Sequence, residues 1–336
     1  MRTKIIVISL VLLVGIQTAQ ATIYVNESGW LANGEFKLNS TPLTSAIDNA
    51  AQGEEIILRD GTYTESVMVD KRMSIRSQNG SHKCIIDGYS TKNVLEINVD
   101  GVNITGLNIT GARYDQAGVR VGANYSSVTN CNIWDCDRGI YVRGTSSDLA
   151  QYSYVGNNSI YDCEVGIKLS GKGVKDGEFM ANTIYNTGQG IKLIDSDDNH
   201  IKYNDIHSSE YGVYLQNADR NNVTNNYVHR NGIGIYLSDT GGSSVDNVIT
   251  NNNIVDNNGY QLYNDQDVEV DAPMNFWGNF TNASIDELIF DDEEGKGQVS
   301  FYPFLSNTAP VPELPTIILA LAGLILVGRG FNGRDK

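Results

Sequence analysis

The chain has 336 residues, of which 24 are basic and 40 acidic, for a formal net charge of −16. A field of that sign repels nucleic acid and excludes a basic groove built to hold it. The six prolines are few enough for extended parallel backbone pairing, and the chain carries no GxSxG, HExxH, P-loop, dinucleotide or zinc-ligand spacing.

The N-terminus reads as a secretory signal: Arg2 and Lys4, an apolar run over 5–16, then Ala19-Gln20-Ala21. The mature chain is therefore expected to begin at Thr22 and to fold as one domain over 22–306. Residues 41–51 predict a short amphipathic helix with Thr41 at the N-cap, Pro42 at the first helical position and a stop at Gly53. Such a helix would close the N-terminal mouth of a solenoid.

The body of the domain is repetitive. A glycine trailed by alternating apolar residues returns seven times, at Gly118, Gly139, Gly166, Gly190, Gly212, Gly234 and Gly259, at intervals of 21 to 27 residues. That interval suits one coil of a β-solenoid and is too short for a helix pair. An apolar residue lies six positions before the glycine, as Ile133, Ile160, Ile184, Ile206 and Val228. Another lies five further back, as Val128, Val155, Phe179, Ile201 and Val223, with Val248 one residue out of step. Ile140 and Val142, Ile167 and Leu169, Ile191 and Leu193 come after their glycines with the period of two that sends alternate side chains inward. One coil cannot cover its own apolar face, so neighbouring coils must stack about 4.8 Å apart. The glycine column and Asn158, Asn182, Asn204 and Asn226 are assigned to the turns, where Asn tolerates left-handed backbone and can bond along the stack as a ladder. Residues 275–278 (NFWG) and 298–305 supply aromatics and a proline for a C-terminal cap over 275–306.

Residues 46–80, the GIxL coils with their NNxI partners and the NFWG-to-YPFL tail together resemble the right-handed parallel β-helix proteins of the NosD-like, pectin-lyase-like superfamily, over roughly 23–306. The resemblance implies an all-β, right-handed parallel β-helix of about ten coils with an N-terminal capping helix. For activity it implies a lyase, hydrolase, epimerase, adhesin or inert surface protein. The catalytic motifs it would bring are missing: no WIDH box, no GHG and no Arg-x-Lys pair in register.

After the domain, 307–315 reads as a linker and sorting motif, and 316–336 as a hydrophobic anchor segment with a basic tail. Its apolar run over 316–327 falls short of the roughly 20 residues a membrane span needs. The tail resembles the PEF-CTERM signal of archaeal surface proteins, with Leu314 where that family has phenylalanine. The resemblance implies a sorting protease that removes the segment in favour of an anchor; a plain stop-transfer helix is the alternative. Either way the β-helix would face outward at the membrane. Ten Asn-x-Ser/Thr sequons, Asn103 and Asn124 among them, could carry glycans on an exported chain.

Export also permits disulfides. Cys136 and Cys163 sit three residues before consecutive glycines, so stacking would bring them within bridging range, and a disulfide between them is expected; Cys84 and Cys131 are left unassigned. Three outward features could carry function. The first is a ring column, Trp134, Tyr161, Tyr185, His207 and His229, suited to stacking on sugars or on itself. The second is Arg120, Tyr141, Lys168, Lys192, Tyr214 and Tyr236, a basic and aromatic stripe able to hold an acidic polysaccharide. The third is Asp135, Asp137, Asp162 and Glu164, carboxylates at matching turn positions, which could supply an acid and base or hold calcium. His207 and His229 could pair on copper, which the NosD-like resemblance implies, although Met and Cys ligands are lacking nearby. No cofactor is expected. The leading expectation is a structural or polysaccharide-binding surface protein without catalysis, then a polysaccharide lyase, hydrolase or epimerase, then a copper-handling protein.

Overall fold

A computed structural model describes residues 22–278 and 281–309; the expected signal peptide and anchor segment, with all but the start of the linker, lie outside the described residues. Alternating apolar residues place the chain on three sheets, of 12, 9 and 10 strands, that each coil visits in turn, all parallel but for two antiparallel strands at the N-terminal edge of the first. One coil runs Ser127–Thr129 in the first sheet, Asn132–Trp134 in the second and Arg138–Arg143 in the third; the next runs Tyr154–Gly156, Ser159–Tyr161 and Val165–Ser170. The result is a right-handed parallel β-helix of about ten turns.

Register is kept from coil to coil. Ile133 pairs with Ile160, Ile160 with Ile184, Ile184 with Ile206 and Ile206 with Val228, all of them fully buried. Each such side chain contributes about 1.5–3 kcal/mol of burial before entropy is charged against it. At the corner between the first and second sheets, Asn158, Asn182, Asn204, Asn226, Asn252 and Asn275 form a buried ladder. The Asn204 Oδ1 accepts from the Asn182 backbone N–H and Nδ2, both at 3.0 Å, and its Nδ2 donates to Phe179 O at 2.9 Å and to Asn226 Oδ1 at 3.0 Å. Earlier coils fill the same corner with Leu107 and Cys131, which are also buried.

Three local assignments are corrected. The glycine column does not turn the chain: Gly139, Gly166, Gly190 and Gly212 lie buried inside third-sheet strands. A Cβ at Gly166 would stand 2.6 Å from the Gly190 carbonyl oxygen of the next coil and 2.6 Å from Ile184 Cγ2. Their role is close backbone approach. Left-handed backbone falls instead on Asn157, Ala181, Tyr203 and Asn225, each one residue before its ladder asparagine. At the last coil, Ile249 and not Val248 faces inward, and Gln261 and not Gly259 lies over Gly234.

Three antiparallel strands, Thr22–Asn26, Gly29–Ala32 and Glu35–Leu38, begin the domain, the last two joined through left-handed Asn33 and Gly34. Asn-Gly is the pair that closes a tight hairpin, and it was the available signal for these strands. Helix α1, Pro42–Asn49, buries Leu43, Ala46 and Ile47. Thr41 makes no side-chain cap; Glu65 reaches across to accept from the Leu43 and Thr44 backbone N–H groups at 3.0 and 2.9 Å. At the far end Trp277 is fully buried, helix α2 spans Asn282–Asp286, and Ile289–Phe290 adds a strand to the third sheet.

Candidate functional site: the outer faces of the second and third sheets

Strand registry turns matched offsets into vertical files on the outside. In the second sheet Trp134, Tyr161, Tyr185, His207 and His229 form one such file. Its rings lie on one another, with centroids 6.3, 5.0, 5.4 and 5.0 Å apart. The Trp134 indole N–H donates to Asn108 Oδ1 at 2.7 Å. The faces that would take a sugar are thus covered by the neighbouring ring. His229 Nε2 lies 2.9 Å from Asp205 Oδ1 and His207 Nδ1 lies 3.0 Å from Ser208 Oγ, so these nitrogens do not turn to a shared point. Burial lowers the His207 pKa, against the nearby Asp205 charge.

The carboxylates do not converge. Asp135 and Asp162 take the left-handed turn position of successive coils, where Asp135 pairs with Arg113 and Asp162 accepts from the Asn186 amide. Asp137 accepts from the Asp115 backbone N–H. No group of three or more His, Cys, Asp or Glu placed to hold a metal occurs among the described residues. The expected Cys136–Cys163 disulfide is not formed in this structure, where all four cysteines are thiols. Each sulfur donates back to its own turn instead, Cys136 to Trp134 O and Cys163 to Tyr161 O, both at 3.3 Å. Burial pushes the Cys84 and Cys131 thiols up to about 12, which leaves them unreactive.

The third sheet presents a different file. Arg120, Tyr141, Lys168, Lys192, Tyr214 and Tyr236 stand in register, and the structure extends them to Met68 and Glu96 at one end and Tyr263 and Phe290 at the other. The ends are committed: Arg120 binds Glu96 at 2.7 Å, the Tyr236 hydroxyl donates to Asp265 Oδ2 at 2.8 Å, and Tyr263 stacks on Phe290 at 3.9 Å. Burial and that hydrogen bond hold the Tyr236 phenol well above its usual range.

The middle is open. The Lys168 Nζ lies 5.5 Å from the Tyr141 ring centre and the Lys192 Nζ 4.5 Å from that of Tyr214, yet neither ammonium has a hydrogen-bond or ion-pair partner among the described residues. Burial lowers the Lys168 pKa to about 8, helped by the positive charges of Arg138 and Lys192 and opposed by Glu164. Burial also lowers Lys192, again against Glu164. Glu164 therefore stands with this cationic strip and not with the other three carboxylates.

Arg138 and Tyr211 were missed in the sequence. The Arg138 guanidinium sits 4.6 Å over the Tyr141 ring while pairing with Asp115, and Tyr211 meets Tyr214 edge-on at 5.5 Å. Their register position holds Ala117, Arg138, Val165, Gln189, Tyr211 and Ile233 in successive coils, so no column stands out. Tyr263 was hidden by the misplaced Gly259; the pattern Gln261-Leu262-Tyr263 against Gly234-Ile235-Tyr236 was the signal.

Residues 117–272 match the family model described as the right handed beta helix region. No curated protein matches the chain. Among solved structures, the chain is similar to pectate lyase Pel9A, with a TM-score of 0.55 and 15% identity over 87% of this chain and 80% of that one. It is similar to the A-module of the Azotobacter vinelandii mannuronan C-5 epimerase AlgE4, with a TM-score of 0.54 and 12% identity over 79% and 92%. It is also similar to the enzymatically active domain of bacteriophage CBA120 tailspike protein 2, with a TM-score of 0.60 and 15% identity over 87% of this chain but 47% of that one. At these identities the likeness is one of fold.

Proposed function

We propose that this is an exported β-helix, held at the cell surface by its C-terminal segment, that binds an acidic polysaccharide along the outer face of the third sheet without acting on it. The observation that carries the reading is the pair of half-buried ammonium groups, Lys168 and Lys192, stacked one coil apart between Tyr141 and Tyr214, with Glu164 near but no ion pair to either among the described residues of a chain of net charge −16. Carboxylates of a uronate polymer laid along the axis would meet the ammonium groups while the Tyr141 and Tyr214 hydroxyls bond to its sugar hydroxyls. The pectate lyase and the mannuronan epimerase that share the fold are named for such polymers, which supports the class of ligand.

Titration of the full chain with polygalacturonate, alginate and a neutral glucan tests it. Both acidic polymers should bind and the neutral one should not, and Lys168→Ala with Lys192→Ala together should weaken binding about a hundredfold. Equal binding of the neutral glucan, or an unchanged affinity in the double variant, refutes it.

A second reading, as a lyase or epimerase, draws on the fold shared with the pectate lyase and the mannuronan epimerase, with the half-buried Lys168 amine, lowered by burial, as the group that would abstract a proton. Release of unsaturated ends, read by ultraviolet absorbance, or epimerised units, read by proton NMR, would establish it. Neither product is expected.

A further inference from the structure

In the corner that returns the chain from the third sheet to the first, the residue two before the first-sheet strand is left-handed: Gly101 (φ 75°), Tyr125 (φ 55°), Tyr152 (φ 55°) and then Asp176 (φ 56°). Backbone bonds from Gly101 N to Asn124 O, from Tyr125 N to Gln151 O and from Tyr152 N to Lys175 O stack these corners directly. Tyrosine is strained at positive φ, by roughly 1–2 kcal/mol. Two in succession are also 62% and 47% exposed, so burial does not repay the strain.

The two rings stack 4.9 Å apart and within 9° of parallel, along the axis. One face of Tyr125 is therefore covered by Tyr152, and the other looks toward the preceding coil, where Gly101 contributes no side chain. Arg72 lies beside that gap, its Nε 3.2 Å from where a Gly101 Cβ would stand, and its guanidinium has no hydrogen-bond or ion-pair partner among the described residues. The gap opens as a cleft of about 430 Å³ lined by Arg72, Gly101, Tyr125, Asp100 and Asn103. That volume is of the size that holds a small ligand, about 300–1,000 Å³.

We propose that this corner is a second glycan site, which takes a single carboxylated sugar unit. The sugar face lies on the free face of Tyr125, its carboxylate takes the planar fork of Arg72, and its hydroxyls meet Asn103 and Asp100. The site shares no residue with the face of the third sheet and does not depend on that face being a polymer site.

The test uses the full chain carrying Lys168→Ala and Lys192→Ala, made without N-glycans because Asn103 and Asn124 at the rim are sequons. It is titrated calorimetrically with trigalacturonate, a mannuronate trimer and maltotriose. At least one acidic trimer should bind with a stoichiometry of one, maltotriose should not, and Arg72→Gln and Tyr125→Ala should each weaken binding about tenfold or more. Tyr125→Phe, which keeps the ring, should retain it and separates lost stacking from lost folding. Three results overturn the proposal: no binding by either acidic trimer, equal binding of maltotriose, or affinity unmoved by Arg72→Gln and Tyr125→Ala. Because the third-sheet lysines are already removed, failure here leaves the polymer site standing, and loss of the polymer site leaves this result unaffected.

Discussion

Two files of outward side chains climb the same solenoid in adjacent sheets, one coil per step, and differ in what their members touch. In the second sheet Tyr161, Tyr185 and His207 lie face to face, so each ring completes its neighbour and the file is closed. In the third sheet the ends are closed by Glu96 and Asp265, but Lys168 and Lys192, over the Tyr141 and Tyr214 rings, have no hydrogen-bond or ion-pair partner among the described residues. Stacked like rings attract, whereas stacked like charges repel and stay available. A shared register therefore makes one file a brace and leaves the middle of the other open.

The largest expected effect sharpens that comparison at its closed extreme, inside the corner. Asn204→Leu removes four hydrogen bonds and strands the Asn182 N–H in the interior. It should cost about 3–5 kcal/mol in urea unfolding. Next comes the Lys168→Ala, Lys192→Ala pair, whose hundredfold loss of polymer binding should leave the thermal midpoint close to that of the parent. A large fall in the midpoint would break the comparison by showing that this file also braces.

Tyr185→Ala should do the reverse, costing about 1–2 kcal/mol of stability through two lost ring contacts while polyuronate affinity stays put. Lost affinity there would mean that the closed file also binds. The smallest effect is in pH. Lys168 titrates near 8 in the folded chain against 10.5 unfolded, so its charge, and with it several-fold of polymer affinity, should fade as pH rises through 8. Over 8 to 10.5 the unfolded chain binds the extra proton, so the penalty of burying the ammonium is relieved and this residue's contribution to stability rises with pH. Affinity and stability should thus move in opposite directions, and the difference from Lys168→Ala measured across pH 7 to 10 reads both.

Much of this was legible in the residues themselves. Period-two apolar runs recurring at nearly constant spacing admit one economical burial, a stacked coil. Register is then set, because a slip of one residue would turn Ile160 or Ile184 outward. The outward columns were readable for the same reason. Other features were not, since they depend on what a neighbouring coil places nearby. The glycines belong inside strands because the carbonyl of the next coil lies 2.6 Å from the missing Cβ of Gly166, a closeness that spacing along the chain does not reveal. Cys136 and Cys163 do stack, yet their sulfurs turn to the carbonyls of Trp134 and Tyr161. By itself the sequence determined the solenoid and which side chains share a file, because hydrophobic period is local information. Only the tertiary structure decided which files are satisfied by their own members and which, like Lys168, Lys192 and Arg72, are left open, because a partner is a matter of three-dimensional distance.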